Sequence, residues 1–235
     1  MISRMRIATF CVFSTGLLLG AMALLAGPAA AGILQITVSG ANGRPAADAV
    51  VLVRRATPFQ VSAGGPPVMI EQRELRFVPY VTVITQRGTV RFVNHDRYAH
   101  HVRSMPSGPL GSVSPSTEFE FRLPAARGGT PPSADQVLDL PGPIVLGCHL
   151  HGSMRGHIFV SSTPWFGISD AQGRVTIDVP DGPADVQVWH PDQLSEQPAR
   201  PLNVTGTVQQ AFQLNFSPRV RPPPRSAPPG DYPTQ

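Results

Sequence analysis

A run of ten residues, 147–156, limits the structures that this chain can adopt more than any other feature. It reads Gly-Cys-His-Leu-His-Gly-Ser-Met-Arg-Gly, so a thiol (Cys148), an imidazole (His151) and a thioether (Met154) follow one another at intervals of three residues. The apolar residues 143–146 before it predict a buried strand, and residues 156–160 predict a second strand. The three side chains therefore belong to one short loop between two strands.

A second source of imidazole lies upstream, in residues 94–102. Side chains in a strand alternate between its two faces, so if Val102 packs inward, His100 shares its face and His101 points outward. We therefore predict that His100 completes the cluster, with His101 as the alternative. The predicted metal ligands are His100, Cys148, His151 and Met154.

These four side chains match the needs of a mononuclear copper electron-transfer site. Thiolate favours Cu(I), imidazole serves both oxidation states, and a long axial thioether tunes the potential. Zinc can take the same Cys-His-His set, but a thioether is a poor zinc ligand, so the methionine favours copper. The prediction is one mononuclear type 1 copper site.

Five other polar side chains are not predicted to bind the metal. His95 lies in a turn and is expected to face solvent, and His149 follows the cysteine directly and should point away from the metal. Asn94 is expected to bond the backbone of the ligand loop. His157 and His190 are interpreted as strand-surface or packing residues.

The first residues are typical of an export signal. Arg4 and Arg6 precede an apolar run at residues 7–26, which ends in a small-residue cleavage site. We predict a signal peptide at residues 1–31 and a periplasmic or otherwise exported protein. An uncleaved anchor is the alternative, because the apolar run is nearly long enough to span a bilayer.

Removal of the leader would take one of the two cysteines with it. Cys11 lies in the leader, so Cys148 would remain as a lone thiol. A lone thiol is prone to oxidation in an oxidising compartment, and binding to a metal would protect it. The alternative is a buried, inert cysteine.

The amino-acid composition limits the fold class and the kinds of binding partner. All 19 basic residues are arginines, and the formal charge is +4, without a clustered basic patch that would indicate nucleic acid binding. The 27 prolines and 22 glycines, with many β-branched residues, favour strands and turns over helices. Alternating apolar segments predict strands at 33–38, 49–53, 81–84, 90–94, 117–123, 143–146, 156–160, 175–179, 184–190, 201–204 and 208–214.

The sequence pattern of strands and turns changes at two places along the chain. A linker at 57–67 and a second change after residue 161 bracket residues 68–161. We predict that 33–56 and 163–216 form one sandwich with 68–161 inserted between them; two tandem domains are the alternative. Residues 218–235 are rich in proline and are predicted to be disordered.

Two resemblances accompany these motifs. "Asn … Ala-His-His-Val" at 94–102 and "Cys-x-x-His-x-x-Met-Arg-Gly-x-Ile-x-Val" at 148–160 resemble the amicyanin/plastocyanin class of cupredoxins, and residues 33–191 resemble cupredoxin-like methylamine utilization proteins. The turns and strands at 41–53 and 169–191 resemble transthyretin-like or carboxypeptidase-regulatory-like sandwiches. The resemblance implies an all-β chain in which a cupredoxin Greek-key β-sandwich is combined with a smaller one.

The resemblance also implies a function. It implies a periplasmic protein that carries single electrons to a redox partner protein, is a monomer, has no stable membrane association once the leader is removed, and is not an enzyme. A copper chaperone or storage protein and a metal-free structural module are the alternatives. A multicopper oxidase is disfavoured because such enzymes need more imidazole ligands than the seven histidines of this chain.

Overall fold

The computed structural model describes residues 31–56, 64–108 and 111–220. Every named regular element in these ranges is a β-strand. Within the same ranges, no helix is long and apolar enough to cross a membrane. The predicted leader, apart from its last residue, and most of the predicted tail lie outside the described residues.

The strands are short, and most alternate between buried and exposed residues as half-buried strands do. In chain order they are β1 (Ala31–Ser39), β2 (Val50–Arg54), β3 (Val68–Arg73), β4 (Arg76–Val78), β5 (Val81–Thr85), β6 (Gly88–Asn94), β7 (His100–Met105), β8 (Glu120–Leu123), β9 (Ser133–Leu138), β10 (Gly142–Cys148), β11 (Arg155–Ser161), β12 (Phe166–Ile168), β13 (Arg174–Pro180), β14 (Gly182–Trp189), β15 (Arg200–Val204) and β16 (Thr207–Gln213).

Strands from both ends of the described chain form one sandwich, here named the outer sandwich. One sheet has the order β13-β1-β16, and the other has the order β12-β2-β14-β15. β1 pairs antiparallel with β13, Leu34 opposite Ile177, and parallel with β16. This pairing is what an inserted middle segment requires, whereas the boundaries 33–56, 163–216 and 68–161 stay predictions.

Strands β3 to β11 form the middle sandwich. Its sheets have the orders β4-β3-β6-β9 and β5-β11-β10-β7-β8, and the parallel pairs β3–β6 and β5–β11 show that the chain crosses between sheets. The apolar core between them includes Phe92, Leu146 and Ile158. The predicted fold class is confirmed as all-β, with a larger and a smaller β-sandwich joined together; the likeness of the outer sandwich to regulatory-like domains stays a prediction.

The two sandwiches meet through a third apolar cluster. Val50 and Leu52 of the outer sandwich pack with Val81 and Phe159 of the middle one, and Trp189 completes the contact. The ring centroids of Phe159 and Trp189 are 5.3 Å apart. The middle sandwich is therefore fixed against one face of the β12-β2-β14-β15 sheet.

The sequence patterns missed four strands, β3, β4, β9 and β12, of which β9 shows the reason most clearly. Residues 105–142 were predicted to hold a single strand near 117–123, which the structure contains as β8, yet β9 also lies there. β9 reads Ser-Ala-Asp-Gln-Val-Leu, and only Leu138 is fully buried. An edge strand with so few apolar residues has no alternation strong enough to be recognised.

Candidate metal centre

Two paired strands deliver the buried ligating side chains to one end of the middle sandwich. β7 begins at His100 and β10 ends at Cys148, and the two strands run antiparallel with Cys148 opposite Val102. His100 and Val102 are both fully buried, while His101 between them is partly exposed. The alternation argument therefore identified correctly which of the two histidines faces inward.

Three ligating atoms converge on one point. Cys148 Sγ lies 3.7 Å from His100 Nδ1 and 3.5 Å from His151 Nδ1, and the two nitrogens are 3.2 Å apart. A point equidistant from atoms so separated lies about 2.0 Å from each, close to the metal–nitrogen bond of about 2.0 Å and the metal–sulfur bond of about 2.3 Å. The cluster already has the size that a transition-metal ion requires.

The loop after Cys148 supplies the remaining two side chains. His151 is partly exposed, and Met154 is only 1% exposed within the same core cluster as Cys148. The Met154 N–H donates to the His151 carbonyl at 2.9 Å, which tightens the loop. A Cβ at Gly147 would overlap Met105 Sδ, so a larger residue there would require the flexible Met105 side chain to move.

Asp96 orients His100 and was missed by the sequence analysis. Its carboxylate accepts Nε2–H of His100 at 2.9 Å, and it also accepts the backbone N–H groups of Glu74 at 2.6 Å and Leu75 at 3.0 Å. A histidine that donates Nε2–H to a carboxylate presents the Nδ1 lone pair to a metal. The only sequence signal was an aspartate four residues before His100, in a turn where solvated aspartates are common.

The electrostatics favour a thiolate at Cys148. Burial raises the pKa of the thiol, but the hydrogen bond with His100 and the backbone N–H groups of His101, Leu150 and His151 outweigh burial, so the net pKa is lowered. Burial, together with the neighbouring His100, lowers the pKa of His151. A thiolate and a neutral imidazole are the forms that bind a metal.

His100 is the exception among the ligating groups. Burial by itself lowers its pKa, but the hydrogen bonds with Asp96 and Cys148 raise the pKa overall. The proton that Asp96 retains on Nε2 is compatible with ligation through Nδ1. A metal at the cluster would therefore displace a proton shared between Nδ1 and the Cys148 sulfur, and not the proton held by Asp96.

The predicted partner of Asn94 was wrong. Its amide donates to the carbonyls of Tyr98 at 2.8 Å and Pro124 at 2.7 Å, and its Oδ1 accepts the Asp96 N–H at 2.9 Å. Asn94 thus organises the turn before His100, and among the described residues its side chain does not bond the ligand loop. It supports the site indirectly, because the turn that it holds carries Asp96.

The other histidines lie outside the cluster. His149 is exposed and points away from Cys148, and His95 is partly exposed beside Glu71. His157 and His190 are buried packing residues: His157 pairs with Tyr80 Oη at 3.1 Å, and His190 donates to a backbone carbonyl. Burial lowers the pKa of His157 to about 4.

Comparisons with known proteins find similarity among solved structures alone. No protein-family model matches the sequence, and no curated protein matches it. A copper-containing nitrite reductase from Thermus scotoductus SA-01 is similar at 25% identity and a TM-score of 0.34, over 45% of this chain and 25% of that one. The Cu(I) form of a methionine-to-alanine variant of amicyanin is similar at 16% identity and a TM-score of 0.32, over 47% of this chain and 98% of that one. This chain thus spans a quarter of the nitrite reductase and nearly all of amicyanin.

Proposed function

We propose that this chain is an exported, mononuclear blue-copper protein that carries single electrons between periplasmic redox partners. The observation that carries the proposal is the convergence of Cys148 Sγ with the Nδ1 atoms of His100 and His151 at separations that fit one ion. The buried thioether of Met154 in the same loop suits a weak axial ligand.

Copper bound there would supply a one-electron couple between Cu(I) and Cu(II). The residues of the chain hold the ligands in place: His100 is fixed by Asp96, and Cys148 by its position at a paired strand end. Ligands that are already positioned need little rearrangement when the charge of the ion changes. A protein set of two imidazoles, a thiolate and a thioether leaves no position for a substrate, which supports a carrier and not an enzyme.

The partner is proposed to dock where the ligand loop reaches the surface. Leu150 is 47% exposed beside the partly exposed His151, and the ring of Tyr98 lies 6.3 Å from that of His151. An exposed apolar surface next to a ligating imidazole gives an electron a short path between the metal and a docked partner. The proposed partner is a redox protein, and the chain is proposed to act as a monomer without nucleic acid and without stable membrane association.

A copper chaperone or storage protein is the second candidate. It is favoured by two further imidazoles, His101 and His149, whose rings lie 5.6 Å apart on the outside of the same strand ends. Surface imidazoles beside a buried thiolate suit the exchange of copper. An electron carrier retains copper in both oxidation states, whereas a chaperone releases it.

Titration of the purified chain with Cu(II), followed by visible absorption and EPR, tests the proposal. One equivalent should give intense blue absorption with narrow copper hyperfine splitting, and the copper should survive reduction and reoxidation. Rapid reduction with transfer of Cu(I) to an added chelator would favour the chaperone. Failure to bind copper through the thiolate would overturn both.

A further inference from the structure

A second cluster of ligating side chains lies on the outer surface of the same sheet. It consists of His101, Glu120 and His149, whose ligating atoms all lie within 4.8 Å of one another. His101 Nε2 and Glu120 Oε1 are 2.8 Å apart, and the side chains are 32% and 54% exposed. His149 is exposed as well, so an ion could reach all three side chains from solvent.

The strand register explains why the cluster forms. His101 lies next to the inward His100 and so faces outward, and His149 follows the inward Cys148. β8 pairs with β7 so that Arg103 is opposite Glu120, which makes Glu120 the diagonal neighbour of His101 on the outer face. The His149 N–H donates to the His101 carbonyl at 2.9 Å, which fixes the spacing of the two backbones.

From this geometry we infer that His101, Glu120 and His149 form a second site for a divalent transition-metal ion, which Cu(II) would fill. Two imidazoles and a carboxylate are borderline and hard ligands of the kind that Cu(II) and Zn(II) accept, and nitrogen and oxygen sites bind Cu(II) more tightly than other divalent first-row ions. Three protein ligands leave the remaining positions to water, unlike the buried cluster.

The size of the cluster is compatible with this assignment. The 2.8 Å separation of His101 and Glu120 matches two ligands that lie side by side on an ion about 2.0–2.2 Å from each. His149 is exposed at the end of a strand and can rotate to close the remaining distance. Arg103 and Arg122 lie on the same face and oppose a cation, so the second site should be the weaker of the two.

The two sites share neighbours in the chain. His101 is one peptide bond from His100, and His149 is one peptide bond from Cys148. The two clusters therefore lie on opposite faces of the same two strand ends. An ion at the outer cluster would lie close to the buried cluster without sharing a ligand with it.

Copper titration of the full chain with two spectroscopic readouts tests this inference. Cu(II) is added beyond the equivalent that saturates the blue absorption, and the second equivalent is followed by EPR, where nitrogen and oxygen ligation gives wide copper hyperfine splitting. We expect His149→Ala and Glu120→Gln each to weaken the second equivalent by about 100-fold or more, because even residues that only support a ligand are worth about 10–100-fold. The blue absorption should remain in both variants.

His95→Ala is the matched control. His95 forms another surface pair with a glutamate, Nε2 to Glu71 Oε1 at 3.2 Å, but within the described residues it belongs to no cluster of three ligating side chains. Its removal should leave both equivalents unchanged. Loss of the second equivalent in His95→Ala, retention of it in His149→Ala, or its absence from the unchanged chain would each overturn the assignment.

Cys148→Ser separates this inference from the proposed function. The variant lacks the thiolate and its absorption, and the outer cluster should still bind Cu(II) with the wide-splitting signal. One outcome is that the unchanged chain never turns blue and still shows the wide-splitting signal. If His149→Ala then abolishes that signal, the second site is supported and the electron carrier is refuted. Absence of the signal from Cys148→Ser, with the blue site intact in the unchanged chain, would refute only the second site.

Discussion

The outer and middle sandwiches bury different chemistry between their sheets. Among the described residues, the hydrophobic core of the outer sandwich has sixteen buried alanine, valine, leucine, isoleucine and phenylalanine residues. The core of the middle sandwich includes Cys148 and Met154, and the buried polar side chains of His100 and Asn94 lie at the same end. The same strand alternation therefore builds a core of aliphatic and aromatic side chains in one case and, in the other, a core that ends in a ligating cluster.

The difference shows what a buried site requires beyond alternation. A buried polar group costs free energy unless it is hydrogen-bonded, so each inward polar side chain of the middle sandwich needs a partner. Asp96 supplies one for His100, and the carbonyls of Tyr98 and Pro124 supply those for Asn94. The outer sandwich also buries polar side chains, such as Ser169, whose hydroxyl donates to the Ala46 carbonyl at 2.7 Å. Its described residues hold no ligating cluster, so it serves as the reference for variants of the site.

The largest expected effect follows removal of the thiol. Cys148→Ala should abolish the blue absorption and strong copper binding, because no other group in the cluster can replace a thiolate. The fold should remain, since Cys148 contributes one small side chain to a large core. Visible absorption and equilibrium copper binding measure the first effect, and circular dichroism measures the second.

His101→Ala is the control for that experiment. His101 neighbours the inward His100 but lies outside the buried cluster, so the variant should keep the blue absorption, whereas His100→Ala should lose it. The reverse result would mean that the ligand is His101, and blue absorption in Cys148→Ala would refute the thiolate assignment.

The same leucine-to-alanine substitution in each core tests whether only the middle sandwich affects the copper site. Leu34→Ala in the outer core and Leu146→Ala two residues before Cys148 both remove fully buried leucine side chains. Each should lower the free energy of unfolding by about 2–5 kcal/mol, measured by urea denaturation. Only Leu146→Ala should also change the copper absorption and EPR spectra, because it leaves a cavity beside the ligand strand.

An altered copper spectrum in Leu34→Ala would contradict this separation. It would mean that the outer sandwich supports the site through the cluster of Val50, Leu52 and Trp189 at the interface. In that case the two sandwiches could not be treated as independent units.

The sequence predicted which side chains come together in the cluster better than it predicted the groups that hold them in place. Alternation around Val102 identified His100, and the three-residue spacing after Cys148 brought His151 into the cluster. Asp96 was missed because its contacts come from Glu74 and Leu75, which are distant in sequence. Contacts made by a turn against a distant backbone leave no periodic signal in the chain.

The same limit applies to the fold. Strong alternation at 175–179 and 184–190 predicted β13 and β14 closely, since each strand has one buried face. β9 was missed because an edge strand needs few apolar residues, and Asn94 was given the wrong partner because a side-chain amide can bond any carbonyl within reach. Patterns predict which face is buried, whereas hydrogen-bond partners depend on the finished packing.

The interface between the sandwiches should weaken in acid. Burial lowers the pKa of His157 to about 4 from 6.5, so the folded chain keeps it neutral while the unfolded chain binds a proton. The free energy of unfolding should therefore fall as the pH drops from about 6.5 to about 4, by up to about 3 kcal/mol from this residue, and level off below that.

His157→Gln isolates that contribution, because glutamine does not titrate. Urea denaturation of both chains between pH 7 and pH 4 should show that the unchanged chain loses more stability than the variant over this range. Parallel pH profiles would mean that His157 is hydrated or protonated in the folded chain. Its contacts with Tyr80 and Trp189 make that outcome a direct test of how tightly the interface is packed.

The smallest expected effect concerns the support of the site. Asp96→Asn keeps an oxygen that can accept His100 Nε2–H but removes the charge, so copper affinity should fall by about 10–100-fold. The reduction potential should rise, because a lost negative charge destabilises Cu(II) more than Cu(I). Competitive copper titration and redox potentiometry measure both, with Asp135→Asn, a surface aspartate paired with Arg91, as the matched control. Unchanged values in Asp96→Asn would mean that the strand alone positions His100, and that the middle sandwich needs no more than the alternation that builds the outer one.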